Sequence, residues 1–195
     1  SLFWTESNWP VDEVRTKPPT DEEMRVFKKM VKTLDTPTRL YIELLMFTGA
    51  RISEFLRLRE CDFRTLEETP EFTELDVIFG SQTKRVNKFL IPREMACEIL
   101  DNLAYSDTDK IPLFEFSVAN ISRHIKIIFN AMGVSDRYSA HSLRSYRIKE
   151  ISKSGNILIA QQFVNHTNYR TTMRYIEADR NQVLEVLKAE KTDIS

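Results

Sequence analysis

Residues 71–92 read EFTELDVIFGSQTKRVNKFLIP. Leu75, Val77 and Phe79 recur at every second position, the period of a strand with one face in a core. Gly80, Ser81 and Gln82 are turn formers, and Val86, Phe89 and Ile91 then resume the apolar pattern. This predicts a β-hairpin with strands over 72–80 and 85–92, closed by Pro92. On both sides the period changes to that of helices. Pro19 and Thr20 precede Asp21, Glu22 and Glu23, a Thr cap followed by acids facing the positive end of a helix dipole. Met24, Phe27, Val31 and Leu34 follow at helical spacing, and Thr36-Pro37 opens a second helix through Leu40, Leu44 and Phe47. Gly49 interrupts it, and 51–58 reads as a short third helix. Further helices are expected at 93–104, 117–131, 139–153, 157–165, 169–177 and 180–190. The fold class is therefore mainly α (α+β): a helical core with one small antiparallel β-sheet.

Composition narrows the class of function. The 195 residues are 42% hydrophobic and 29% charged, which suits one globular domain with a short appendage. The longest apolar stretches, such as 44–47, are core-sized, far from the roughly 20 residues of a membrane span. The first 20 residues are polar and carry no signal-peptide pattern. Cys61 and Cys97 are too few for a disulfide framework or a zinc cage, so an intracellular, metal-free protein is expected. The four glycines, at 49, 80, 133 and 155, are dispersed, which excludes a glycine-rich phosphate loop.

A net charge of −1 argues at first against a nucleic-acid partner. Its distribution argues otherwise. Residues 1–120 hold 16 basic and 22 acidic side chains, whereas 121–176 hold nine basic and two acidic, a local +7. That segment and the hairpin offer Arg123, Lys126, Arg147, Lys149, Arg170, Arg174 and Lys88 as DNA-contact candidates.

Four constellations carry possible chemistry. Arg51 and Glu54 are three apart after a glycine turn, so a carboxylate can hold a guanidinium fork toward a phosphate; a plain surface ion pair has the same spacing. His141 and Arg144 are also three apart and can share an oxyanion; a capped helix with a solvated Arg reads equally well. His166 and Tyr175 lie nine residues apart, which puts them on opposite faces of an unbroken helix. They converge only if the helix breaks, and Thr167 and Asn168 are good caps for such a break. Lys84 at the hairpin turn and Lys88 share strand parity, so periodicity does not choose between them. His124 fits a surface helix.

Taken in order, TGARISEFLRL (48–58), TKRVNKFLIP (83–92), HSLR (141–144) and Asn165-His166 with Tyr175 nine residues on resemble the catalytic domain of tyrosine site-specific recombinases, the phage-integrase and Xer-type family. The likeness covers residues 20–190. It implies a catalytic set of Arg51, Lys84, His141, Arg144, His166 and the nucleophile Tyr175, with Glu54 in support and Lys88 as runner-up to Lys84. Tyr169 is excluded as nucleophile by its spacing from His166. Two departures stand out: Val164-Asn165 where the family often has Leu-Gly, and Ser145-Tyr146-Arg147-Ile148 after HSLR where members often carry His-Thr-Phe-Ala.

The resemblance further implies strand exchange through a 3′-phosphotyrosine without ATP, metal or other cofactor. It implies a double-stranded recombination site as partner, a monomer alone and a homotetramer on two duplexes when active, no membrane, and a cytoplasmic, nucleoid-associated location. Residues 1–20 are expected to be a linker from an N-terminal core-binding domain, 21–179 the catalytic domain, and 180–195 a tail helix, exchanged with a neighbouring protomer or, as the alternative, packed on its own domain. Type IB topoisomerases, with a similar residue set, are the nearest alternative.

Overall fold

The computed structural model describes residues 18–79, 85–104, 111–153, 185 and 187–189. Its elements run α1 (Asp21–Val31), α2 (Thr36–Thr48), a single 3-10 turn (Glu60–Asp62), β1 (Phe63–Thr65), β2 (Phe72–Phe79), β3 (Arg85–Pro92), α3 (Arg93–Leu103), α4 (Val118–Ala131) and α5 (Ala140–Ser152). The mainly helical class with one antiparallel sheet is as expected. The predicted helices at 157–165 and 169–177 lie outside the described residues, as does most of 180–190.

Each helix start has a local cause. Thr20 Oγ1 accepts from the Glu23 N–H at 3.2 Å, and Glu23 Oε2 accepts from the Thr20 N–H at 2.8 Å, a reciprocal cap on α1. Glu23 also accepts from Tyr138 Oη at 2.7 Å and from Arg137 at 3.0 Å, tying α1 to the turn before α5. Asp35 caps α2 through the Thr38 N–H, and Ser117 caps α4 through the Asn120 N–H. α1 buries Met24, Phe27 and Val31, and α4 buries Ile121, Ile125, Ile128 and Phe129. Their stripes meet at Phe27 and Phe129, whose ring centroids are 4.7 Å apart.

The sheet has the order β1-β2-β3, antiparallel throughout. β2 and β3 form the expected hairpin, with Leu75 opposite Phe89 and Val77 opposite Asn87. Leu75, Val77, Phe89 and Ile91 face the core, while the opposed Ile78 and Val86 face solvent. Phe55 packs edge-on against Phe89 at 5.1 Å, joining the loop after α2 to the sheet.

Two local features differ from expectation. β1 is an extra three-residue edge strand, too short to show a period. Residues 51–58 form successive turns instead of a helix. The reason is competition for the backbone: Tyr41 Oη donates to the Ile52 carbonyl at 2.6 Å, and the Leu56 N–H turns to Ser53 instead. In the tail, Glu185 and 187–189 are helical, with Leu187 buried and Lys188 Nζ 3.3 Å from Glu71.

The α1 cap is a clean target. Thr20→Ala should lower the unfolding free energy by about 1 kcal/mol, read by urea denaturation, with the midpoint falling and the slope unchanged.

Candidate active site

α2 ends where the site begins. Thr48 Oγ1 donates to the Leu44 carbonyl and accepts from the Ala50 N–H, at 2.7 and 3.2 Å. Gly49 takes the left-handed conformation (φ 63°) that lets the chain turn sharply there. Two residues on, the Arg51 N–H donates to Glu54 Oε2 at 2.5 Å. Glu54 is wholly buried; its Oε1 accepts from Asn87 Nδ2 at 2.7 Å and lies 3.9 Å from the Arg51 guanidinium. The Arg51 side chain remains about one-third exposed, with 38% of its surface open to solvent. The pair is therefore an arginine on a buried anchor, not a solvated surface bridge.

α5 brings the other half. It is buried from Ser142 to Ile148 without a polar face, so it forms the central helix of the domain. Ser142 Oγ accepts from the Ser139 N–H at 3.0 Å at its start. Arg144, only 2% exposed, donates from one guanidinium nitrogen to the Gly49 carbonyl at 2.5 Å. Ala50, Arg51, Ile52, Ser53, Ala140, His141 and Arg144 line one cleft of about 250 Å³. The cleft thus unites two arginines and a histidine at the positive end of α5, an arrangement suited to an oxyanion.

The remaining candidates divide. Lys84, His166, Tyr175, Arg170 and Arg174 lie outside the described residues. Lys88 points to the outer face of β3, 2.9 Å from Glu74 and 3.4 Å from Asp76. Its hydrogen bond to Glu74, opposed by partial burial, holds its pKa above the ordinary lysine value. Arg123 and Lys126 are exposed on α4 and do not line the cleft; Lys126 donates to the Ser135 carbonyl. Lys149 sits near Asp21 at 4.0 Å and over the Tyr146 ring. His124, also on α4, is half-buried rather than a plain surface residue.

Arg147 corrects the sequence reading. It is 5% exposed, donates to the Phe47 carbonyl at 2.7 Å, stacks on the Phe47 ring and pairs with Glu150. Its charge serves the α2–α5 contact instead of facing DNA. Tyr41 and Asn87 were absent from the sequence-based set. Asn87 carries a readable signal, a polar residue on the inward parity of a strand; Tyr41 carries none.

Fold and cleft together define a mainly helical core with two arginines and a histidine lining one cleft. The chain belongs to the phage integrase family, whose sequence pattern matches residues 20–182. A tyrosine recombinase of Thermosipho africanus (strain TCF52B) is 27% identical over 154 residues, 75% of this chain and 52% of that protein. The chain thus spans about half the length of that curated relative. Among solved structures, the XerH recombinase bound to difH matches with a TM-score of 0.63 at 20% identity, over 77% of this chain and 47% of that one. The lambda integrase catalytic core matches with a TM-score of 0.57 at 21% identity, over 78% of this chain and 96% of that one.

Two measurements check these assignments. Arg147→Ala should cost about 2 kcal/mol of stability in a denaturant titration, the scale of a lost charged hydrogen bond, whereas a solvent-facing DNA contact would leave stability unchanged. The Lys88 pair stabilises the fold fully below the ordinary lysine pKa of about 10.4 and loses that effect as pH rises through the raised value. Lys88→Met should flatten this alkaline fall in a Tm-against-pH profile.

Proposed function

We propose that this chain is the catalytic part of a site-specific DNA recombinase that cleaves and rejoins strands through a 3′-phosphotyrosine at Tyr175. The observation that carries the reading is the cleft where Arg51, Arg144 and His141 converge in a chain of the phage integrase family. The relatives named above are recombinases and integrases, and none is a topoisomerase.

The chemistry follows from the residues. A tyrosine hydroxyl ionises near pH 10, so its attack at neutral pH requires a base and a positive field. Arg51 and Arg144, with His166, bind the scissile phosphate and the extra negative charge of the five-coordinate transition state. His141 accepts the Tyr175 proton. Lys84 protonates the departing 5′-oxygen. The bond from phosphorus to that oxygen breaks as the bond to Tyr175 forms, leaving a free 5′-hydroxyl. Attack by a 5′-hydroxyl from a second duplex reverses the step, and the phosphotyrosine retains the bond energy needed for rejoining.

The partner in this reading is double-stranded DNA carrying a recombination site. The solved relatives include XerH with difH and a lambda integrase tetramer on a Holliday junction, which supports a tetrameric active form. Residues 1–20 serve as the linker from a DNA-clamping domain, 21–179 as the catalytic domain, and 180–195 as a tail that joins protomers. Tail exchange requires Leu187 to leave its own core and the Lys188–Glu71 pair to open. The exposed Arg123 and Lys126 contact DNA backbone outside the cleft. The chain alone binds DNA weakly and with strong salt dependence.

The test is a nicked duplex that traps the covalent intermediate, recovered from a random-sequence pool by repeated binding to the protein. Wild-type protein should form an adduct, Tyr175→Phe should form none, and Arg51→Ala or Arg144→Ala should slow its formation by about 10²–10³. An adduct that survives Tyr175→Phe assigns the wrong nucleophile.

A further inference from the structure

We propose that Asn87 is a positioning residue for Arg51, linking the β2–β3 hairpin to the cleft through the buried carboxylate of Glu54. The inference rests on the recombinase reading of the cleft and adds to it a residue outside the cleft lining.

Asn87 stands opposite Val77, on the inward face of β3. Its same-face neighbours Phe89 and Ile91 are core residues. An amide on such a face is costly unless hydrogen-bonded. Its partner is Glu54, 33 positions away, whose Oε1 accepts from Asn87 Nδ2 at 2.7 Å. A carboxylate only accepts, so donors decide its orientation. Here two of them divide the oxygens: Asn87 takes Oε1, and the Arg51 N–H takes Oε2 at 2.5 Å.

The consequence concerns the guanidinium. With Asn87 on Oε1, the Arg51 guanidinium stands 3.9 Å from that oxygen, beyond hydrogen-bond length. It lines the cleft in that position. Without the amide donor, the carboxylate turns to the guanidinium and closes a direct ion pair, drawing Arg51 away from the phosphate. Asn87 therefore keeps Glu54 from competing with the substrate. It also sets the strand's register against the cleft, three positions along the chain from Lys84, while Lys88 on the opposite face is held by Glu74 and Asp76.

The experiment measures single-turnover adduct formation on the nicked duplex described above, with DNA affinity and Tm determined for each variant. Asn87→Ala should slow adduct formation by about 10–100-fold, the scale of a small misplacement of a catalytic group, with DNA affinity retained. Asn87→Ser, which keeps a shorter donor, should fall between, and Asn87→Asp, which sets a second carboxylate against Glu54, should be no faster than Asn87→Ala. In an Arg51→Ala background, Asn87→Ala should have no further effect, since both act through one group. A wild-type rate in folded Asn87→Ala overturns the inference and leaves the recombinase reading standing. So does an equal slowing with and without Arg51, which marks a general effect on the fold. No adduct from the wild-type chain, or an Arg51→Ala rate equal to wild type, overturns the recombinase reading and the inference with it.

Discussion

A buried cation meeting the end of a helix organises this domain. Arg144 is almost wholly enclosed, and its guanidinium donates to the Gly49 carbonyl across 95 positions of chain. A lone buried charge is expensive, and the carbonyls at the C-terminus of α2 carry the partial negative charge that offsets it. The same contact brings the start of α5, with its positive partial charge, to face the turn that carries Arg51. The turn itself needs the left-handed Gly49 and the Tyr41 hydroxyl on the Ile52 carbonyl. Without the Arg144–Gly49 contact, two helix ends would remain but no cleft between them.

The overall charge of −1 conceals how the acids are used. In the acid-rich first part of the chain, Glu43 pairs with Lys32 and Arg39, Asp62 with Arg59, and Asp76 with Arg64 and Lys88. The acids of these pairs are largely buried, and each cancels the field of its basic partner. Glu54 is different in kind, being buried beneath Arg51 as its anchor. Arg51, Arg144 and His141 line the cleft together, a local arrangement that the total charge does not show.

Much of the architecture could be read before the structure. Strict alternation located β2 and β3, and the cap at Thr20 marked the start of α1. Spacing alone paired Arg51 with Glu54 and His141 with Arg144. What escaped depends on contacts distant in sequence. The turns of 51–58 exist because Tyr41 reaches a carbonyl eleven positions away. Arg147 sits in the basic stretch, and nothing local tells that it turns inward to Phe47, 100 residues earlier. α5 is buried all round, so its sequence lacks the two-faced pattern that would reveal which residues face inward. β1 is too short for any period.

One further feature joins the two ends of the helical core. Asp21, the first residue of α1, meets Lys149 at 4.0 Å and Lys153 at 3.4 Å, at the far end of α5 from His141. The Lys153 contact holds the Asp21 carboxyl below its usual pKa. The start of α1 and the end of α5 thus meet at one point on the surface. α5, with 13 residues, is a rigid rod of about 20 Å. Its other end carries His141 and Arg144, so the Asp21 clasp and the cleft sit at opposite ends of one helix.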